Sequence, residues 1–95
     1  MVVERFKNQD AKAIYRRLHE RGRMMPEGLQ YIESWVDPGF QRCFQLMETS
    51  DLRLFQEWVA GWTDLIEFEI VPVVRSKETR VALEALLDVA SDARL

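Results

Sequence analysis

The sequence predicts an α+β domain: one antiparallel sheet built in the order β-α-β-β-α-β, with a further helix at the C-terminus. Three observations carry that expectation. Apolar residues recur at helical spacing in some stretches and alternate at strand spacing in others. Asp37-Pro38-Gly39 reads as a tight turn between two strand-like segments. The chain of 95 residues is long enough for one domain, 1–95, and short for two.

Each element follows from local chemistry. Residues 1–7, MVVERFK, are apolar at their start and bounded by Asn8 and Asp10, which reads as a strand. From Asp10 to Arg21, Ala11, Ile14, Tyr15 and Leu18 recur at helical spacing. Asn8 or Asp10 can cap that helix, and Gly22 suits its left-handed end. LQYIESWV and FQRCFQLMET flank the turn as a hairpin, in which Pro38 presets the first dihedral and Gly39 takes the positive one. A second helix, capped by Ser50 or Asp51, reaches about Trp62. IEFEIVPVV alternates, with Ile66, Phe68 and Ile70 on one face and Glu67 and Glu69 on the other. Pro72 places that segment at a sheet edge or bulge. Ser76 caps a third helix running towards Ala90. The order is the split βαβ, ferredoxin-like motif, with residues 1–75 as core and 76–92 as an added helix.

Composition narrows the function classes. Hydrophobic residues make up 47% of the chain, a folded rather than disordered composition. The single cysteine, Cys43, has no intrachain partner, which fits a reducing compartment. Glu4, Arg5 and Lys7 interrupt any secretory h-region, and no apolar run approaches a membrane span, so the expected location is cytoplasmic. The net charge of −3 is uneven, because residues 1–25 hold seven Lys/Arg against Glu4, Asp10 and Glu20. That basic first helix can attract an acidic partner, or simply be a solvated face. An acidic chain disfavours nucleic acid.

The tryptophans of QEWVAGWTDLIEFEI pose the sharpest question: ligand surface or interior. On a wheel of about 100° per residue, Leu52, Phe55, Trp58, Val59 and Trp62 fall within about 120°, the width of a core-facing stripe. Trp62, at the helix end, can keep its indole N–H near a cleft. If Ile66, Phe68 and Ile70 meet the helices, and Phe44 and Leu46 do likewise, then Gln41, Cys43, Gln45, Met47, Glu67 and Glu69 share the opposite face. That mixed face suits a covering sheet or a ligand pocket between two sheets. The third helix is apolar over about 240°, more than one small sheet can bury, and packing on a second copy would cover it.

Catalytic signals are sparse. His19 is the only histidine, and no cysteine or histidine cluster or phosphate-cradling glycine motif accompanies it. No metal and no cofactor are expected. Glu67 and Glu69, about 7 Å apart along one strand face, are candidates for a general base. His19 is a weaker candidate. Each also has a structural reading: exposure or arginine pairing for the glutamates, a helix surface for the histidine.

VVERFKN, RGRMMPEG, CFQLMET and LFQEWVAGWTDLIEFEIVPV together resemble a family of small bacterial proteins, domain of unknown function 3303. The W-x-D-L-x-x-F-E-x-x-P-V segment, Trp62 to Val73, is the most specific part of the resemblance, which spans residues 2–75. The family is similar to the dimeric α+β-barrel group, which implies a homodimer of facing sheets. That group includes haem-degrading and quinone-forming monooxygenases and small-lactone isomerases. Haem-degrading members carry a histidine on the second helix, and this chain has none there, which argues against haem chemistry. The leading expectation is a homodimer binding a small, partly apolar molecule beside Gln41, Cys43, Gln45, Met47, Glu67, Glu69 and Trp62. The alternatives are a cofactor-independent monooxygenase or isomerase with a sheet carboxylate as base, and an interaction module working through the basic first helix.

Overall fold

A computed structural model of the chain describes residues 1–94, with side-chain surroundings through residue 87. Strand β1 (Val2–Phe6) leads through a short 3-10 turn, Lys7–Gln9, into helix α1 (Ala11–Arg21). Strands β2 (Gln30–Val36) and β3 (Arg42–Glu48) form the hairpin, followed by α2 (Arg53–Ala60), β4 (Ile66–Ile70) and α3 (Ser76–Arg94). All pairings are antiparallel, in the order β2-β3-β1-β4. This is the ferredoxin-like arrangement the element order implied: each βαβ unit leaves a gap that a strand of the other fills.

The local signals act largely as expected. The Asp10 carboxylate accepts the Ala13 N–H at 3.1 Å, and Gly22 closes α1 with φ 66°. α2 is shorter than expected, because at Gly61 the chain tightens and the Trp62 N–H returns to the Val59 carbonyl at 2.9 Å. The ladder beyond β4 ends where Val71 exchanges backbone bonds with Met1, at 2.8 and 2.7 Å, and Pro72 has no N–H to continue it. Ser76 is the first residue of α3 and not its cap; the Arg75 carbonyl accepts from Glu78 and Thr79.

The hairpin turn places its unusual residue elsewhere. Pro38 and Gly39 sit at the centre of a turn closed by Phe40 N–H to the Asp37 carbonyl at 3.0 Å. The left-handed residue is Phe40, at φ 56°, one beyond the glycine. The Asp37 carboxylate accepts the Gln41 and Arg42 N–H groups at 2.9 and 3.1 Å, which holds this loop without a glycine at the positive dihedral.

One expectation is reversed. β3 buries Cys43, Gln45 and Met47 against the helices and turns Phe44 and Leu46 to the open face. The register explains it. Paired residues of an antiparallel ladder share a face. Glu4 opposes Cys43 and Val2 opposes Gln45, while Val2 and Phe6 of β1 are buried in the core. The inward face of β1 therefore sets that of β3.

The core lies between this face and α1 and α2, around Val2, Phe6, Ile14, Phe55, Trp58, Trp62 and Ile66. Trp58 meets Phe68 edge to face at 5.3 Å. Outside, Arg17 forks onto Asp64 at 2.7 and 2.6 Å and donates to the Gly61 carbonyl, tying α1 to the turn before β4.

Candidate functional site

The tryptophan question has a definite answer. Trp58 and Trp62 are each 3% exposed, and both indole N–H groups donate to a single acceptor, the Arg23 carbonyl, at 3.0 and 3.1 Å. They are interior residues whose polar ends pin the loop after α1. The next residue, Met24, is left-handed at φ 56°. That loop carries Arg23 over the sheet, where its guanidinium stacks on the Tyr31 ring with Cζ 3.7 Å from the centroid. The Tyr31 hydroxyl is hydrogen-bonded to Ser34 Oγ at 2.7 Å.

Beneath this loop a cavity of about 80 Å³ opens between the helices and the sheet. Its apolar wall comes from Phe6, Ile14, Leu18, Trp58, Trp62 and Ile66, and its polar groups from Glu4, Tyr15, Arg23, Ser34, Cys43 and Gln45. An apolar enclosure with a few convergent polar groups is the usual lining of a small-molecule site, though this cavity is well below the roughly 300–1,000 Å³ such sites commonly enclose.

Glu4 is the chemical centre of the cavity. It lies on β1 between Val2 and Phe6, on the core face, and is 6% exposed. Burial pushes its carboxyl up to about 7, although the hydrogen bond from Cys43 and the charge of Arg23 pull the other way. Burial, and then the charge of Glu4, push the Cys43 thiol up to about 12. The Tyr15 phenol is raised too, first by burial and then by Cys43 and Glu4. Near neutral pH the cavity thus holds a neutral thiol, a neutral phenol and a carboxyl that readily gains or loses a proton. Gln45 is buried beside them and donates to Met47 Sδ at 3.2 Å.

The family model for Domain of unknown function (DUF3303) matches residues 1–87. The chain belongs to this family. No curated protein and no solved structure matches it. The description of the DUF3303 family assigns no chemistry, so the reading of the site rests on its geometry.

The residues singled out in the sequence do not form one surface. Cys43, Gln45 and Trp62 line the cavity on the helix side. Met47 is buried on that same sheet face. Glu67 and Glu69 oppose Arg5 and Val3 on the other face and are exposed, outside the dry cleft a general base would need. Gln41 is exposed in the hairpin loop, and His19 is exposed on α1. Arg42 pairs with Asp37 at 3.4 Å and with neither glutamate. Among the described residues no cluster of three potential metal ligands occurs, and no helix is long and apolar enough to cross a membrane.

Glu4 and Arg23 were missed. A signal for Glu4 was present: alternation in VVERF puts it on the same face as Val2 and Phe6, and a carboxylate on a core face needs a reason. Nothing in RGRMMPEG marks Arg23, whose position depends on tryptophans 35 and 39 residues away.

Proposed function

We propose that this DUF3303 chain binds a small, partly apolar molecule in the cavity under α1 and moves a proton on it through Glu4. The reaction class that fits is a cofactor-independent isomerisation or related proton transfer. One observation carries the reading: Glu4, 6% exposed on the core face of β1, lines a largely apolar cavity, where burial pushes its carboxyl up to about 7. A base poised near neutral pH combines adequate ionisation with driving force for abstraction. Cys43, raised to about 12, is unsuited to nucleophilic attack and serves as a hydrogen-bond donor.

The test has two parts. Carbon-13 NMR of labelled glutamate, with Glu4→Gln for assignment, should show one carboxyl titrating near 7. A panel of small enolisable ketones and lactones should exchange deuterium from solvent faster with the wild-type chain than with Glu4→Gln. A Glu4 midpoint near 4.5 would remove the reading, as would equal exchange by both proteins across the panel.

A second reading concerns assembly. The open sheet face carries Val3, Phe44 and Leu46 half-buried beside Trp35, which is 51% exposed. α3 exposes Val81, Leu83, Leu86 and Leu87 at 54–66%. These support a homodimer in which a second copy covers the open face and α3. Sedimentation velocity should find a dimer, and a monomer at high micromolar concentration would end that reading.

A further inference from the structure

Arg23 is fixed twice over at the cavity. Its backbone carbonyl receives both indole N–H groups, and its guanidinium is stacked on Tyr31. The charge of this side chain acts on Glu4, Cys43 and Tyr15, which belong to three different elements. Among the described residues no carboxylate lies within ion-pair distance of it; the same holds for Arg5, Arg16, Arg21 and Arg75, but those are exposed, whereas Arg23 is half-buried and lines the cavity. A half-buried arginine with no ion-pair partner among the described residues, its guanidinium held against Tyr31 beside the cavity, is preorganised for an anionic oxygen.

Size limits the ligand further. A cavity of about 80 Å³ holds a molecule of only a handful of non-hydrogen atoms. The aromatic wall opposite the polar groups favours a short branched or unsaturated carbon skeleton.

We infer that the cavity selects small monoanions, with a carboxylate or comparable acid group meeting Arg23 and the carbon skeleton lying against Ile14, Trp58 and Trp62. The inference rests on the reading of this cavity as a small-molecule site and adds the substrate class. Arg23 is then the specificity determinant.

Isobutyrate and isobutyramide are nearly the same shape and differ in charge, so they separate the two claims. Both are titrated into the full-length chain while backbone amide shifts are followed by NMR. Isobutyrate should bind about tenfold or more tightly than isobutyramide, with shifts centred on Glu4, Cys43 and Gln45. Arg23→Gln should abolish that preference, and backbone amide shifts away from the cavity that match the wild type show that the variant is folded. Arg23→Lys should retain part of the preference, because the charge remains and the planar fork is lost. Equal binding of the two probes at these residues would overturn the substrate class and leave the cavity reading standing. A preference for the acid that survives in Arg23→Gln would also overturn it. If neither probe moves the cavity amides, both readings fall.

Discussion

At the residue scale, Glu4 has the largest consequence. In the unfolded chain it ionises near 4.5, whereas burial delays ionisation in the folded state to about 7. Below 4.5 both states are protonated and the full contribution to stability is present. Between 4.5 and 7 the unfolded state loses its proton first, so stability falls as pH rises and levels off above about 7. The span corresponds to about 3 kcal/mol as an upper estimate. Urea unfolding of the wild type should therefore show a lower midpoint at pH 8 than at pH 5. Glu4→Gln should flatten that difference and be the more stable protein at pH 8; parallel curves for the two would contradict the burial of the charge. Cys43 makes a second residue-level prediction. With its thiol pushed up to about 12, alkylation by iodoacetamide at pH 8 should be on the order of a hundredfold or more slower in the native chain than in urea. Rapid native labelling would show that the cavity opens far more than its packing implies.

At the element scale, the sequence was most legible where one residue sets one bond. Asp10 and Gly22 delimit α1 through a capping carboxylate and a left-handed dihedral, both local effects. It was least legible on β3, where Cys43, Gln45 and Met47 alternate with Phe44 and Leu46. Either set can pass for the inner one, and pairing with β1 decides between them. Gly28 belongs to this scale too. It is left-handed at φ 94°, and a Cβ there would stand 3.0 Å from Leu54 Cδ1. Gly28→Ala should destabilise the fold by about 1–2 kcal/mol, mainly through dihedral strain, with a small shift of the Leu54 side chain. A thermal midpoint equal to the wild type would show that the loop can relax. The Arg17–Asp64 fork holds α1 against the turn before β4, and its guanidinium keeps the Asp64 carboxyl down at about 2. Its stabilisation is present above the ordinary aspartate range and is lost as pH falls from about 4 towards 2.

At the scale of the whole molecule, α3 is the exceptional part. The Cα radius of gyration is 18.2 Å, against about 12 Å for a compact chain of this length, and the longest extent is 63 Å. Every described side chain from Val71 through Leu87 is exposed. At the foot of α3 an open groove of about 600 Å³ is lined by Ile32, Leu46, Leu52, Ile70 and Val73. Truncation after Arg75 should leave the thermal unfolding of the β1–β4 body nearly unchanged and, under the proposed homodimer, lower the sedimenting mass to that of a monomer. A truncated chain that still dimerises would assign assembly to the open sheet face alone, and Trp35→Ala should then weaken it. A large loss of stability in the monomer would instead show that α3 packs on its own body in solution.

The sequence by itself determined the element types, their order and most of their ends, because capping, alternation and helical spacing act over a few residues. It also marked Trp58 for the interior through the apolar stripe of α2, whereas packing decided the places of Trp62, expected near a cleft, and of Leu52, which is 68% exposed. Only the tertiary structure decided which face of β3 is buried, that Glu4 and Cys43 oppose each other across the β1–β3 ladder, and that two distant indoles place Arg23 above them. The polar centre of the candidate site, Glu4 beside Cys43 and Arg23, lies in that second group. Its charge state follows from desolvation and from neighbours drawn from four segments of the chain, and no local pattern encodes either.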